Sequence, residues 1–186
     1  MLANREPVTL RALVEDTGLS TMAVYTHFEG MPGLWRAVRQ EGFTRLAQRL
    51  DAVQRTPDPV CDLMALGAAY VSNALASANL YRTMFDAGFD LENPDAADAT
   101  FQVLVDGAAR ARREGRFSQQ ADPAAVATRF WAVGHGLTML VLTGALPQQA
   151  LTDHVPPMAT ALFVAAGDTN RRSSRSVRDG WATVDL

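Results

Sequence analysis

Two groups of side chains in this 186-residue chain are of types and at spacings that could do chemistry. The first lies in the run TMAVYTHF, where a helix would turn Thr21, Met22, Tyr25 and Thr26 outward and leave His27 near its end. Hydroxyls bond phosphates or base edges, an imidazole can donate to a phosphate, and a thioether or phenol ring can meet a thymine methyl. The second group centres on Trp131 and His135, which lie four apart and so share a helix face. With Tyr81, Met84, Phe85, Phe101, Leu104, Phe130 and Met139 they could wall an apolar cavity in which His135 is the polar anchor. The same residues suit plain core, with Trp131 packed and His135 a hydrogen-bonded structural histidine; both readings stand at this point.

Catalysis is poorly served. There is no Gly-rich phosphate loop, no nucleophile elbow and no paired cysteine for zinc. His27, His135 and His154 lack metal-ligand spacing. The single cysteine, Cys61, excludes an internal disulfide and follows a helix start, where a thiol pKa can fall, but a small buried hydrophobe is its expected role. The expectation is therefore no enzyme, no catalytic residue, no metal and no cofactor.

The net charge of −3 means that any contact with phosphate must come from a local patch rather than from the whole molecule. All 17 basic residues are Arg, and residues 1–50 hold six of them against five acids, so affinity for nucleic acid would rest on a few placed contacts. The N-terminus lacks the layout of a signal peptide. The apolar run Phe130 to Leu146 is interrupted by His135, Gly and Thr and followed by Pro147, which argues against a membrane span and for a soluble, cytoplasmic protein.

Helices must position these groups, since helical periodicity dominates. Thr9 caps LRALVEDT and Gly18 ends it; Ser20 caps TMAVYTHF; Pro32 opens a third helix with Leu34, Trp35, Val38, Phe43, Leu46 and Leu50 at helical spacing. Leu13, Val14, Leu19, Val24 and Phe28 would form the core shared by the first two helices. Asp58-Pro59, Asn93-Pro94 and Asp122-Pro123 open helices at about 59–77, 94–114 and 123–144, Ser77 caps one at about 78–87, and a last helix spans about 156–166. Arg110, Arg112 and Arg113 fit the C-terminal turn of a helix better than a DNA contact. The fold class is all-α: an N-terminal helix-turn-helix domain over 1–50, a ligand-binding and dimerisation domain over 51–167, and a flexible polar tail over 168–186. Two short helices around a Gly-containing turn are only a generic signal for DNA binding.

The run VTLRALVEDTGLSTMAVYTHF resembles the DNA-binding region of the tetracycline-repressor (TetR) family at Thr9, at Gly18-Leu19-Ser20 and at Tyr25-Thr26-His27-Phe28, with Leu34 and Val38 continuing the match. Trp131, His135 and Gly136, together with Asn79 to Phe85, resemble a family C-terminal domain of Trp-His-Gly type. The resemblance implies base contacts by Thr21, Met22 and Tyr25, phosphate contacts by Thr26 and His27, and DNA-proximal roles for Thr9 and Ser20. It also implies a homodimer on a near-palindromic operator, in the family's usual role of repressor, released by a small effector. In the absence of a charged clamp, that effector would be apolar or mildly polar.

Two departures favour an alternative, a ligand-binding and dimerising protein of the same fold that has lost DNA affinity. Met31 stands where the family carries a basic residue. The family's first helix would also need more than Met1 to Val8 with Pro7, so either residues precede this sequence or Leu10, Leu13 and Phe28 expose apolar surface. The dimer is expected independently of the resemblance. The helix from Pro123 is apolar on nearly every face and needs cover on all sides, which a four-helix interface with Met158 to Gly167 of both copies would supply through Ala132, Gly134 and Gly136.

Overall fold

A computed structural model describes residues 9–15, 17–86, 91–93 and 95–184. Every regular element among them is a helix: α1 (Leu10–Val14), α2 (Thr21–Phe28), α3 (Met31–Asp51), α4 (Pro59–Ala76), α5 (Ala78–Met84), α6 (Asp95–Arg113), α7 (Pro123–Leu142), α8 (Gln149–Ala165) and α9 (Asn170–Trp181). The caps fall where side-chain chemistry puts them. Thr9 accepts from the Ala12 N–H, Ser20 from Ala23, Asp58 from Val60 and Cys61, and Asp122 from Ala124. Asn93 Oδ1 accepts from the Asp95 N–H, while Pro94 lies outside the described residues. α6 ends in a Schellman turn: Gly115, at φ +71°, donates to Arg112, and Arg116 donates to Ala111.

The core is built on α4, whose residues are buried on nearly all sides among α3, α6, α7 and α9. α3 joins the two ends of the molecule. Its first turns pack on α2, and its later residues Phe43, Leu46 and Leu50 enter the main core. α6 buries Thr100, Leu104, Ala108 and Ala111, one stripe at helical spacing.

Two expectations need correcting. α8 begins at Gln149, not near 156, and carries Pro156 and Pro157 in its interior. Its buried stripe Leu151, Val155, Ala159 and Phe163 holds it together, and Thr152 and Asp153, whose carbonyls lose their helical donors to the two prolines, are exposed. The expected flexible tail is instead helix α9, capped by Thr169 and packed along α4 and α8. Its buried face, Ser173, Ser176, Val177 and Gly180, is small enough for backbones to approach. A Cβ on Gly180 would lie 2.8 Å from Met64 Cβ and overlap the Cys61 carbonyl.

α4 and α7 are each long and apolar enough, by length and composition, to cross a membrane. α4 is 67% buried inside the bundle, whereas α7 is only 22% buried, most of its other residues being half-buried and Ala124, Ala132 and Leu140 exposed.

Candidate functional site

The α1–α2 pair is a helix-turn-helix in geometry. Gly18 turns the chain at φ +70°, α2 runs two turns, and Glu29 in the left-handed region (φ 59°) followed by Gly30 (φ 102°) redirects it into α3. The turn into α3 is tight, because a Cβ on Gly33 would overlap the carbonyl oxygen of Phe28. Val24 points inward, at 7% exposure, while Met22 and Tyr25 stand out at 67% and 54%. Thr26 and His27 are exposed and Thr21 is half-buried.

The hydroxyls differ in what they can still do. Thr9 and Ser20 accept N–H groups at their caps, which leaves each O–H proton able to donate outward. Thr26 Oγ1 donates its proton back to the Met22 carbonyl at 2.9 Å, so outward it offers only an acceptor. The shared core is thinner than expected. Leu19 is 61% exposed rather than buried, and Leu13, Val14 and Phe28 are half-buried, as is Leu10. α1 is five residues long and packs mainly on α2 among the described elements; Met1 to Val8 lie outside the described residues.

Between α3, α4, α6 and α7 is a cavity of about 480 Å³. Of the nine residues read from the sequence as its wall, Phe85, Phe101, Leu104, Phe130 and Trp131 line it. Tyr81 and Met84 are buried, His135 and Met139 are half-buried, and none of these four reaches the lining. The wall also contains Phe43, Leu46 and Leu50 from α3 and Gly67 and Tyr70 from α4, which sequence reasoning missed. Tyr70 was the available signal, the one aromatic with a polar tip in the apolar run of α4. Arg39 and Asp98, two charged side chains that the sequence reading did not place there, line the cavity too. Arg39 Nε donates to the Met84 carbonyl at 2.8 Å, linking α3 to the end of α5.

His135 belongs to a polar cluster behind that wall. The hydroxyls of Tyr70 and Tyr81 are 2.7 Å apart, and His135 Nδ1 lies 2.9 Å from Tyr70 and 2.7 Å from Tyr81. Trp131 Nε1–H donates to the Tyr70 hydroxyl at 3.1 Å. Burial pushes the Tyr70 phenol up to about 12 and Tyr81 higher still, and it lowers His135 below its ordinary value. All three are therefore neutral near pH 7. A His135 protonated on Nε2 leaves Nδ1 to accept a phenolic proton, the only assignment in which both tyrosines donate within the cluster. His135 thus fixes Tyr70 and Trp131, and these two face the cavity.

The remaining candidates are structural. Arg110 pairs with Asp62 at 2.5 Å and Glu114 at 2.7 Å, and Arg112 donates to the Ala121 carbonyl. Cys61 is half-buried; burial first, then the Asp58, Asp62 and Asp179 charges, push its thiol up, opposite to an activated cysteine. Among the described residues no group of three or more His, Cys, Asp or Glu is placed to hold a metal ion.

An exposed two-turn helix, a long helix joining it to a bundle, and an aromatic cavity within that bundle are thus the features that any function must use. Residues 63–165, more than half of the chain, match the family described as tetracyclin repressor-like, C-terminal domain, and the protein belongs to that family of regulators. A solved structure described as a protein with unknown function from Rhodococcus sp. RHA1 has the same fold. It aligns at a TM-score of 0.73 with 24% identity, over 87% of this chain and 86% of that one. A comparison with curated proteins finds no match.

Proposed function

We propose that the protein is a cytoplasmic, homodimeric DNA-binding transcriptional regulator, a repressor released from a near-palindromic operator when a small, largely apolar ligand enters the aromatic cavity. It is not an enzyme, and its C-terminal part is of the Trp-His-Gly type. The observation that carries the reading is α2: a capped, two-turn helix with its apolar side chain Val24 inward and Met22 and Tyr25 held out to solvent. The outer face of α7 supports the dimer, with Ala132 exposed, Gly136 open to a close-packed neighbour and Leu140 and Met158 each 44% exposed. These residues belong to α7 and α8; α9, which follows them, packs back on α4. Arg39 and Asp98 leave room for a ligand with one polar end, but not for a highly charged one.

The test is enrichment of duplexes from a random-sequence pool by the full-length protein, followed by affinity against salt. Enriched inverted half-sites, bound by a dimer with a shallow slope of a few released counterions, are expected. The second reading is a ligand-binding, dimerising protein without DNA affinity. It is favoured by Met31 at the position where a phosphate anchor was expected, and it predicts that no duplex is enriched.

A further inference from the structure

Resting on that reading, we infer that α2 recognises its operator through thymine methyl groups and not through guanine. The argument starts from what α2 lacks. Bidentate recognition of guanine needs Arg or Lys, and of adenine Asn or Gln; the segment TMAVYTHF contains none of these. Its outward face is Met22, Tyr25 and Thr26, at helical spacings of three and four, with His27 at the end.

Two of these side chains are held in ways that narrow their chemistry. Thr26 has turned its proton back to the Met22 carbonyl, so it cannot donate to O6 or N7 of guanine without breaking that bond. Tyr25 is steadied against the turn, its ring edge so near Gly30 that a Cβ there would lie 3.3 Å from Tyr25 Cε1. Met22, at 67% exposure the most exposed large apolar side chain among the described residues, is the tip of the face. A flexible thioether offers dispersion contact and almost no hydrogen bonding. In the major groove the complementary feature is the C5-methyl of thymine, which guanine and cytosine do not present. Met22 is thus the residue that sets specificity, and the bases that α2 reads lie in thymine-containing pairs.

The experiment uses the full-length protein and the duplexes it enriches. Each thymine of the half-site is replaced in turn by deoxyuridine, which removes only the methyl, and each guanine by 7-deazaguanine, which removes the N7 acceptor. Loss of about fourfold in affinity per contacted thymine is expected, the value of burying one methyl-sized group, with no effect at guanines. Met22→Ala, an exposed change that leaves the fold intact, should bind thymine and uracil duplexes equally at the position Met22 contacts. Equal binding of thymine and uracil duplexes by the unmodified protein, or a loss at 7-deazaguanine, would overturn the inference while leaving DNA binding intact. Failure to enrich any duplex would overturn the proposed function, and this inference with it.

Discussion

Replacing Arg116 by Met should loosen the end of the bundle where α9 docks. The guanidinium is 5% exposed and ties three segments together. It pairs with Asp58 at the head of α4, lies 2.6 Å from Asp168 Oδ2, and donates to the Ser176 hydroxyl on α9 at 3.0 Å. Ser176 in turn donates to Asp58 Oδ2 at 2.6 Å. The Asp168 side chain is 1% exposed, so losing the cation strands a buried anion. Breaking a buried pair in this way costs about 3–5 kcal/mol, mostly the penalty of the uncompensated charge. The lower end applies here, because the Asp58 side chain is 38% exposed and can recover water. With a urea slope of about 2 kcal/mol/M, a loss of about 3 kcal/mol lowers the unfolding midpoint by about 1.5 M. Protomer concentration must be held fixed in the comparison. Adding Asp168→Asn removes the stranded charge and should recover at least half of the loss. A shift below about 0.3 M in the single variant, or a double variant no more stable than the single, would refute the claim that this ion pair holds α9.

Gly33→Ala should leave the C-terminal bundle folded but force α2 and α3 apart at the Phe28 carbonyl; more than a tenfold loss of affinity for an enriched duplex is expected by anisotropy, and unchanged affinity would contradict the tight junction. Thr138 is fully buried and its hydroxyl has no hydrogen-bond partner among the described residues. Thr138→Val should therefore raise stability by about 1 kcal/mol in equilibrium unfolding, and a loss would contradict the unpaired hydroxyl. The pH dependence follows from His135 and Asp58. Burial lowers His135. Burial alone would raise Asp58, but hydrogen bonds from Ser176 and the Cys61 and Val60 N–H groups, with the Arg116 charge, hold it below its usual range. In both cases the folded state binds protons less readily than the unfolded one, so stability is full above the unfolded pKa and is lost as pH falls. Urea midpoints should drop first below the His135 reference near 6.5 and again below the Asp58 reference near 3.8, and His135→Gln should remove the upper step. A midpoint that rises between pH 7 and 5 would show the sign to be wrong.

Legibility from the sequence followed the range of the interactions involved. The caps at Thr9, Ser20, Asp58 and Asp122 were readable because each is a contact within three residues of the chain. Phe101, Leu104, Phe130 and Trp131 were readable as a wall because α6 and α7 present them at helical spacing. Tyr70 and Gly67 were not, since α4 is apolar all round and its rotation within the bundle decides which side meets the cavity. α9 was hidden for a different reason. Its buried stripe is Ser173, Ser176, Val177 and Gly180, so a search for apolar periodicity sees a polar tail; what fixes it is the long-range bond from Arg116 and the close approach at Gly180. The start of α8 was hidden by Pro156 and Pro157, which break a helical pattern locally, while the four buried side chains at i, i+4 spacing that hold it together meet their partners only in the bundle.

The way the cavity and α2 share one helix limits how a ligand can act. α3 carries Gly33 against Phe28 at one end and Phe43, Leu46 and Leu50 on the cavity wall further along, with Gly33 and Phe43 about 15 Å apart along the axis. On the proposed function, a ligand that displaced Phe43 would be expected to carry α2 with it, through the shared helix α3. Displacement alone does not release DNA, however. A hundredfold drop in operator affinity requires the ligand to prefer the released arrangement by about 2.7 kcal/mol, and DNA must weaken the ligand by the same factor. Arg39 is where such a preference can arise, because its side chain lines the cavity while its Nε holds the Met84 carbonyl at the end of α5. On that proposal, a ligand group that drew the guanidinium away from Met84 would favour the arrangement with α3 moved, whereas one that only filled the aromatic space would bind both arrangements equally and would not regulate.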